Sequence, residues 1–303
     1  MSIVVIGSIN TDLTIHVPHF AACNETVLGN GDFATSQGGK GANQAVAAAG
    51  GEFPVHMIGR VGNDAFGDAA IADLLAAGVL CDNVTRDADH STGIAAIFLD
   101  PDGNNSITVA PGANACVTVD DVRAAQAVIA EAKIMMLQLE IPVDAISEAI
   151  RLAYQHGTVI ILDPAPANAA LPALEGIDYL TPNEIEAEML TGISPLAEGG
   201  PRKIAAEFRN RGVKQVVLTL GEMGCYIMSD DEDTHLEAKK IKAVDSTGAG
   251  DAFNGFLANA LAKGLRFREA TEIASAAASL SVTRSGARSD LPSWDDALEF
   301  MRG

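Results

Sequence analysis

Ile134-Met135-Met136-Leu137-Gln138-Leu139 is a short apolar run, followed by Val143 to Gln155 with apolar residues at helical spacing. A second apolar run, Thr158 to Leu162, comes next. A short apolar run, an amphipathic helix and another short apolar run describe two parallel strands joined by a right-handed crossover. Neither run alternates with polar residues, so each strand has both faces covered. Downstream, Asp178 to Leu180, a helix near Arg202 to Asn210, the run Gln215 to Leu220 and the strand Cys225 to Met228 extend the pattern. Upstream, Ile3 to Ile6 reads as one more buried strand. The expected fold is three-layer α/β, a mainly parallel central sheet between helices, formed by residues 1–303 as one unit. Ligands of such sheets bind beyond the carboxyl ends of the strands. That rule singles out Glu140, Asp163, Asn183 and Gly221, each just past a strand-like run.

Two stretches break the alternation. Leu13 to Ser36 and Thr92 to Val109 read as short β segments with turns such as Asp100-Pro101-Asp102-Gly103-Asn104. They predict a small antiparallel sheet outside the main core. A sheet of so few strands cannot bury both its faces, which gives it a physical motive to pair with a second subunit.

Composition narrows the classes of function. Hydrophobic residues make up 48% of the 303, enough for a large core. No apolar run reaches the roughly 18 residues of a membrane-spanning helix. Forty acidic against twenty basic residues give a net charge of −20, the opposite of a nucleic-acid footprint. Any phosphate must therefore be met locally, by helix ends, Lys40 and a bound cation. Cys23, Cys81, Cys116 and Cys225 are widely spaced without a C-x-x-C pair, and the six histidines have no metal-ligand spacing. Reduced, mostly packed thiols and a Met1 that leads straight into a strand are the expectation for a soluble cytoplasmic protein, without nucleic-acid or membrane partners.

Two glycine-rich turns carry chemistry. Asp245-Ser246-Thr247-Gly248-Ala249-Gly250-Asp251 runs into a helix expected over Ala252 to Ala262. The amides of a helix's first turn lack internal partners and the dipole is positive there, so this turn is a ready anion site. Gly248 and Gly250 let backbone approach a phosphate, and Ala249 between them adds its amide. A carboxylate in such a cradle repels its ligand unless it serves as a general base toward an attacking hydroxyl, which is the reading for Asp251; an acid merely favoured by the helix dipole is the alternative. The second turn, Gly38-Gly39-Lys40-Gly41-Ala42-Asn43-Gln44-Ala45, opens a helix expected from Ala42 to Ala49. It is neither a Walker A loop nor a dinucleotide fingerprint, and Lys40 and Asn43 suit a neutral polyol better than a pyrophosphate.

With Gly7-Ser8-Ile9-Asn10-Thr11-Asp12, these two turns closely resemble the ribokinase-like (PfkB) family of carbohydrate kinases, and the segment 38–45 resembles its ribokinase branch. The resemblance runs from the first strand to the last helix. It implies ATP-dependent phosphorylation of a sugar, with the 5-hydroxyl of D-ribose as the expected acceptor. Deoxyribose, fructose, ketodeoxygluconate or a nucleoside remain as alternative acceptors, and a non-catalytic sugar or nucleotide sensor as the alternative class. Lys40 argues against fructose and nucleosides.

By that resemblance Asn10 and Asp12 accept sugar hydroxyls, Gly38, Gly39, Lys40 and Asn43 complete the cradle, and Glu140 is a further hydroxyl partner. Turn residues at 10 and 12 and a plain loop acid at 140 are the structural alternatives. Asn183 and Glu186 are the family's Asn-x-x-Glu motif, which organises the magnesium hydration shell and the phosphates; the same spacing also fits a helix capping box. Thr219, Gly221, Gly224 and Gly250 face ATP, although Gly224 also fits a turn. In the family the helix from Thr271 to Val282 borders the adenine pocket, although its small residues fit ordinary helix packing better. Asp245, Thr247, Ser281, Arg284, Gly286 and Asp290 correspond to a potassium site, Asp290 standing where the family often has a small hydroxyl residue. The β segments form a lid over the sugar that pairs with a second subunit's lid in a homodimer.

Overall fold

The computed structural model describes residues 1–167, 170–283, 288 and 291–302. The chain begins with the buried strand β1 (Ile3–Ile6) and turns into β2 (Asn10–His16) and β3 (Ala34–Gly38) of a second sheet. Helix α1 (Lys40–Ala49) follows at once, two residues ahead of the Ala42 start expected from sequence. Then come β4 (Val55–Gly62), α2 (Ala65–Ala76) and β5 (Val79–Asp87), followed by β6 (Gly93–Leu99) and β7 (Asn105–Ala110). Short helices α3 (Val119–Ala124) and α4 (Gln126–Glu131) lead to β8 (Ile134–Leu137), α5 (Val143–His156), β9 (Val159–Leu162) and β10 (Tyr179–Leu180). Next are α6 (Glu184–Thr191), α7 (Gly200–Asn210), β11 (Gln215–Thr219), β12 (Cys225–Met228) and β13 (Asp233–Leu236). The last described elements are α8 (Ala249–Ala262), α9 (Phe267–Ser281) and α10 (Trp294–Arg302).

Nine strands form the main sheet in the order β13-β12-β11-β10-β9-β8-β1-β4-β5. Every pairing from β5 to β11 is parallel; β12 and β13 are added antiparallel at one edge. Successive strand residues face opposite sides, and the apolar runs fill a core on each. Val4, Ile6, Met135 and Leu137 pack with Ile146 of α5 and Ile204 and Phe208 of α7. Ile3, Val5, Met57 and Met136 pack with Ala45 of α1, Phe253 and Phe256 of α8 and Ala277 of α9. Each large side chain so buried contributes roughly 1.5–3 kcal/mol. On the second face α1 and α8 lie in direct contact: a Cβ on Gly255 would come 2.5 Å from Ala47 Cβ. This close crossing brings the first turns of the two helices together.

The second sheet has the order β3-β2-β6-β7. Its outer pairings are antiparallel, but β2 and β6 run parallel, from Asn10↔Gly93 to His16↔Leu99. The expectation of a wholly antiparallel sheet is corrected here. β2 follows β1 and β6 follows β5, so both leave parallel strands of the main sheet in the same direction. The thiols also differ from expectation: all four are free, but only Cys225 is buried, while Cys23 is exposed in the β2–β3 connection and Cys81 and Cys116 are half-buried. Among the described residues, no helix is long and apolar enough to cross a membrane.

Candidate active site

Gly248 takes the left-handed conformation (φ 77°) at the start of α8, a geometry open to glycine at no steric cost. The helix thus begins at Ala249, not Ala252, and Asp251 lies inside its first turn. No side chain caps this end. A Cβ on Gly250 would meet nothing within 4 Å, so the space over the first-turn amides is open. Asp251 is buried beneath them. Asn43 Nδ2 donates to its Oδ2 at 2.9 Å, and Gln44 Nε2 donates to its Oδ1 at 3.1 Å. Both amides come from the first turn of α1, which fixes the carboxylate from the neighbouring helix. Burial pushes the Asp251 carboxyl up, opposed by Lys40 and by these two amides, and the net direction is upward.

Gln44 also donates to Asp163 Oδ2 at 2.9 Å and accepts from Gln138 Nε2 at 2.6 Å. Neither glutamine was anticipated from sequence, and both are fully buried. Their partners lie 94 and more residues apart in the chain, so no local spacing announces them. Asp163, past the end of β9, is pushed up by burial, with Lys40 opposing. Burial alone would lower the Lys40 ammonium, but Asp163, Asp251, Glu140 and Glu186 outweigh it and hold the charge on. The Lys40 ammonium thus stays charged in the field of these carboxylates, which is compatible with the sugar-donor role expected from sequence.

The sugar candidates gather on the lid side of this cluster. A Cβ on Gly38 would lie 2.3 Å from the Asp12 carboxylate, and one on Gly39 (φ 88°) would lie 2.7 Å from Asn10 N. Only glycines allow the β3–α1 turn to close against β2. Burial raises the Asp12 carboxyl to about 6, with Arg288 opposing and Glu140 and Asp251 adding to the rise. Glu140 Oε2 accepts from Ser8 Oγ at 2.5 Å and from the Lys40 backbone N–H at 3.3 Å. It therefore neutralises the start of α1, where Gly39 offers no cap. Glu140 is tied to the site and is not a plain loop acid.

Asn10 is oriented by Asn114, a residue that sequence reading missed. Asn114 Oδ1 accepts from Ile9 N at 2.9 Å, so its Nδ2 faces Ile9 O at 3.0 Å and Asn10 Oδ1 at 2.7 Å. Asn114 thereby fixes which way the Asn10 amide faces; Oδ1 keeps a second lone pair as an acceptor and Nδ2 is a donor. A Cβ on Gly93 of β6 would clash with both amides, at 2.3 Å from each, so the lid strand is seated directly on this pair.

On the nucleotide side, Asn183 and Glu186 form a complete capping box at the start of α6, with bonds of 2.9 Å in each direction. The structural alternative for this motif is therefore present. It uses Glu186 Oε2 alone, and the carboxyl is pushed up by burial, opposed by the Asn183 amide and Lys40, with Asp251 adding to the rise. The Glu186 carboxylate is a hard oxygen donor, of the kind that suits magnesium and its water shell. Asn183 bridges Thr219, and Gly221 takes a φ of 53° in the turn beyond β11. Gly224 is required by the backbone, since a Cβ would lie 2.1 Å from Leu236 O. A cavity of about 430 Å³ lies against α9, its walls including Leu236, Ala238, Ser275, Ala276 and Ser279. Asp245 Oδ1 accepts from Thr247 N at 2.9 Å just ahead of α8, and the backbone of Val244 and Asp245 bonds Val282 O. Ser281 Oγ donates to Ala278 O. Arg284, Gly286 and Asp290 lie outside the described residues.

Comparison with known proteins identifies the family. A family model described as pfkB family carbohydrate kinase matches residues 1–294. A ribokinase of Haemophilus influenzae is 36% identical, covering 99% of this chain and 98% of its own. A deoxyribokinase of Salmonella typhi is 34% identical over 99% of each chain. Arabidopsis thaliana ribokinase, solved complexed with ribose and ATP, is similar with a TM-score of 0.90 at 32% identity, covering 100% of this chain and 99% of that one.

Proposed function

Because the chain belongs to the pfkB family of carbohydrate kinases, we propose that it transfers the γ-phosphoryl group of ATP to the 5-hydroxyl of D-ribose, giving D-ribose 5-phosphate and ADP. One observation carries the reading: a buried carboxylate, Asp251, is held by two amides directly under an open, uncapped helix start. Asp251 takes the proton of the attacking hydroxyl. The amides from Gly248 to Asp251 meet the charge on the transferring phosphoryl oxygens. Asp12 and Glu140 accept hydroxyl protons of the sugar, Asn10 donates to a sugar oxygen, and Gly38, Gly39 and Asn43 shape the floor. Lys40 keeps the surrounding carboxylates compatible with an incoming polyanion.

Thr219, Gly221 and Gly250 line the phosphate and ribose path of the nucleotide, and the cavity against α9 takes the adenine. Gly224 sets the turn that bounds it. Asn183 and Glu186 would hold magnesium through its water shell, and the metal, when bound, neutralises β- and γ-phosphate charge. Asp245, Thr247, Ser281, Arg284, Gly286 and Asp290 would hold a potassium ion that steadies the turn before α8. Turnover that is equal in potassium and tetramethylammonium at fixed ionic strength would remove that ion from the proposal. The lid pairs with that of a second copy, supported by exposed apolar side chains at Phe33, Ile107 and Val109. A cytoplasmic setting is supported by four free thiols.

The relative named deoxyribokinase favours 2-deoxyribose as a second reading. Asn10 and Asp12 oppose it, because polar groups built to bond a hydroxyl are left unpaired by its absence. Phosphorus NMR of the product tests the chemistry: a signal split by two C5 protons is expected from ribose and ATP. Phosphorylation at the anomeric oxygen, or none, sinks the proposal.

A further inference from the structure

Arg288 is a cation that no motif announces, in a chain with twice as many acids as bases. Its side chain is 9% exposed, and each of its three nitrogens is engaged. Nε donates to Asn43 Oδ1 at 2.5 Å, Nη1 donates to Asp73 Oδ2 at 2.8 Å, and Nη2 donates to the Gly38 carbonyl oxygen. One planar guanidinium thus joins α2, the first turn of α1 and the end of β3. Asp73 is 43% exposed and reads as the anchor. The other two contacts are groups of the acceptor cradle.

The geometry points to Arg288 as a positioning residue that sets the acceptor cradle and, through Asn43, the orientation of Asp251. An amide has one oxygen and one nitrogen face. Once Nε–H holds Asn43 Oδ1, only Asn43 Nδ2 can face Asp251, where it donates at 2.9 Å. Released from the guanidinium, Asn43 is held at its nitrogen face alone, so the amide and the Asp251 carboxylate it orients are less firmly fixed. The bond to Gly38 acts in parallel, because the Gly38 backbone lies against the Asp12 carboxylate and any drift of β3 alters the space beside it. Burial disfavours the charge on Arg288 while Asp73, Asp12 and Asp251 support it, consistent with a cation built into the site. A lysine delivers one point charge and cannot hold three groups in a plane.

The inference rests on the sugar-kinase reading but not on the identity of the sugar, so it is tested with the acceptor that the wild-type enzyme turns over fastest. Arg288→Gln and Arg288→Lys are each made in the wild type and in Asn43→Ala, and kcat and both KM values are measured. Loss of charge-assisted bonds to the cradle is expected to lower kcat/KM for the sugar by about 10- to 100-fold while the ATP KM stays within about twofold. In the Asn43→Ala background the further loss on Arg288→Gln is expected to be much smaller, because one route of action is already gone. Arg288→Lys keeps the charge near Asp73 and guards against a merely unfolded variant; it is expected to melt near the wild type and still lose sugar kcat/KM. An equal loss in both backgrounds, or an ATP KM that rises as much as the sugar KM, makes Arg288 a strut of the fold and overturns the inference. A wild type that ignores ribose overturns the ribose assignment instead.

Discussion

The proposed chemistry rests on a single side chain, Asp251. Asp251→Asn keeps the shape and one acceptor oxygen but cannot take a proton, so turnover is expected to fall by about 10²-fold or more while both substrates bind nearly as before. Near wild-type turnover would reduce Asp251 to a helix-end acid. Asp12 sets a second expectation. Its carboxyl is raised to about 6, and a sugar hydroxyl donates more strongly to the ionised form. Because the folded value lies above the ordinary 3.8, protonation sets in while pH is still mildly acidic. Sugar kcat/KM should therefore hold from neutral pH down to about 6 and decline below it, and Asp251, pushed in the same direction, adds to that limb. A profile flat down to pH 5 would contradict the raised carboxyl. At this scale the motif residues Asp12, Lys40, Asn43, Glu140 and Asp251 were legible in the sequence. Gln44, Asn114, Gln138 and Arg288 were not, since each works through a partner far along the chain and none carries a spacing signal.

The elements were legible in kind and displaced at their ends. Both α1 and α8 start earlier than expected, because Gly39 and Gly248 open them with positive φ and no Ser, Thr, Asp or Asn marks the cap. The parallel pairing of β2 with β6 was hidden because it depends on where two distant strands leave the main sheet. Helix α6 carries a motif whose capping role is observed and whose magnesium role is proposed. Glu186 at the third helical position caps Asn183 with one oxygen, and glutamine can do the same. Glu186→Gln is thus expected to leave the melting temperature almost unchanged while raising the magnesium concentration for half-maximal activity several-fold. An unchanged magnesium requirement would leave the motif as a cap alone. An Asn183→Ala control should lose about 0.5–2 kcal/mol of stability, the usual cost of a lost cap.

At the scale of the molecule, a parallel sheet directs its strand ends toward one edge, and the crossing of α1 on α8 places two helix starts there. That framework was legible from the apolar runs around Ile134 and Val159; the tight approach at Gly255 that sets the crossing was not. The second sheet ends in an edge strand, β7, exposed along its whole length, which is where the proposed lid would pair. Replacing Ile107 and Val109 together by Asp is expected to convert a dimer into a monomer in sedimentation equilibrium and to raise the sugar KM. A wild type that is monomeric at micromolar concentration would end the lid-pairing proposal. In the proposed kinase reaction the acceptor is chosen by Asn10, Asp12 and Glu140 and activated by Asp251. Its most direct test is ADP release with D-ribose, 2-deoxyribose, fructose, ketodeoxygluconate and adenosine at matched concentrations. D-ribose is expected to give the highest kcat/KM; a higher value for any of the others, or no release with ribose, would contradict the assignment.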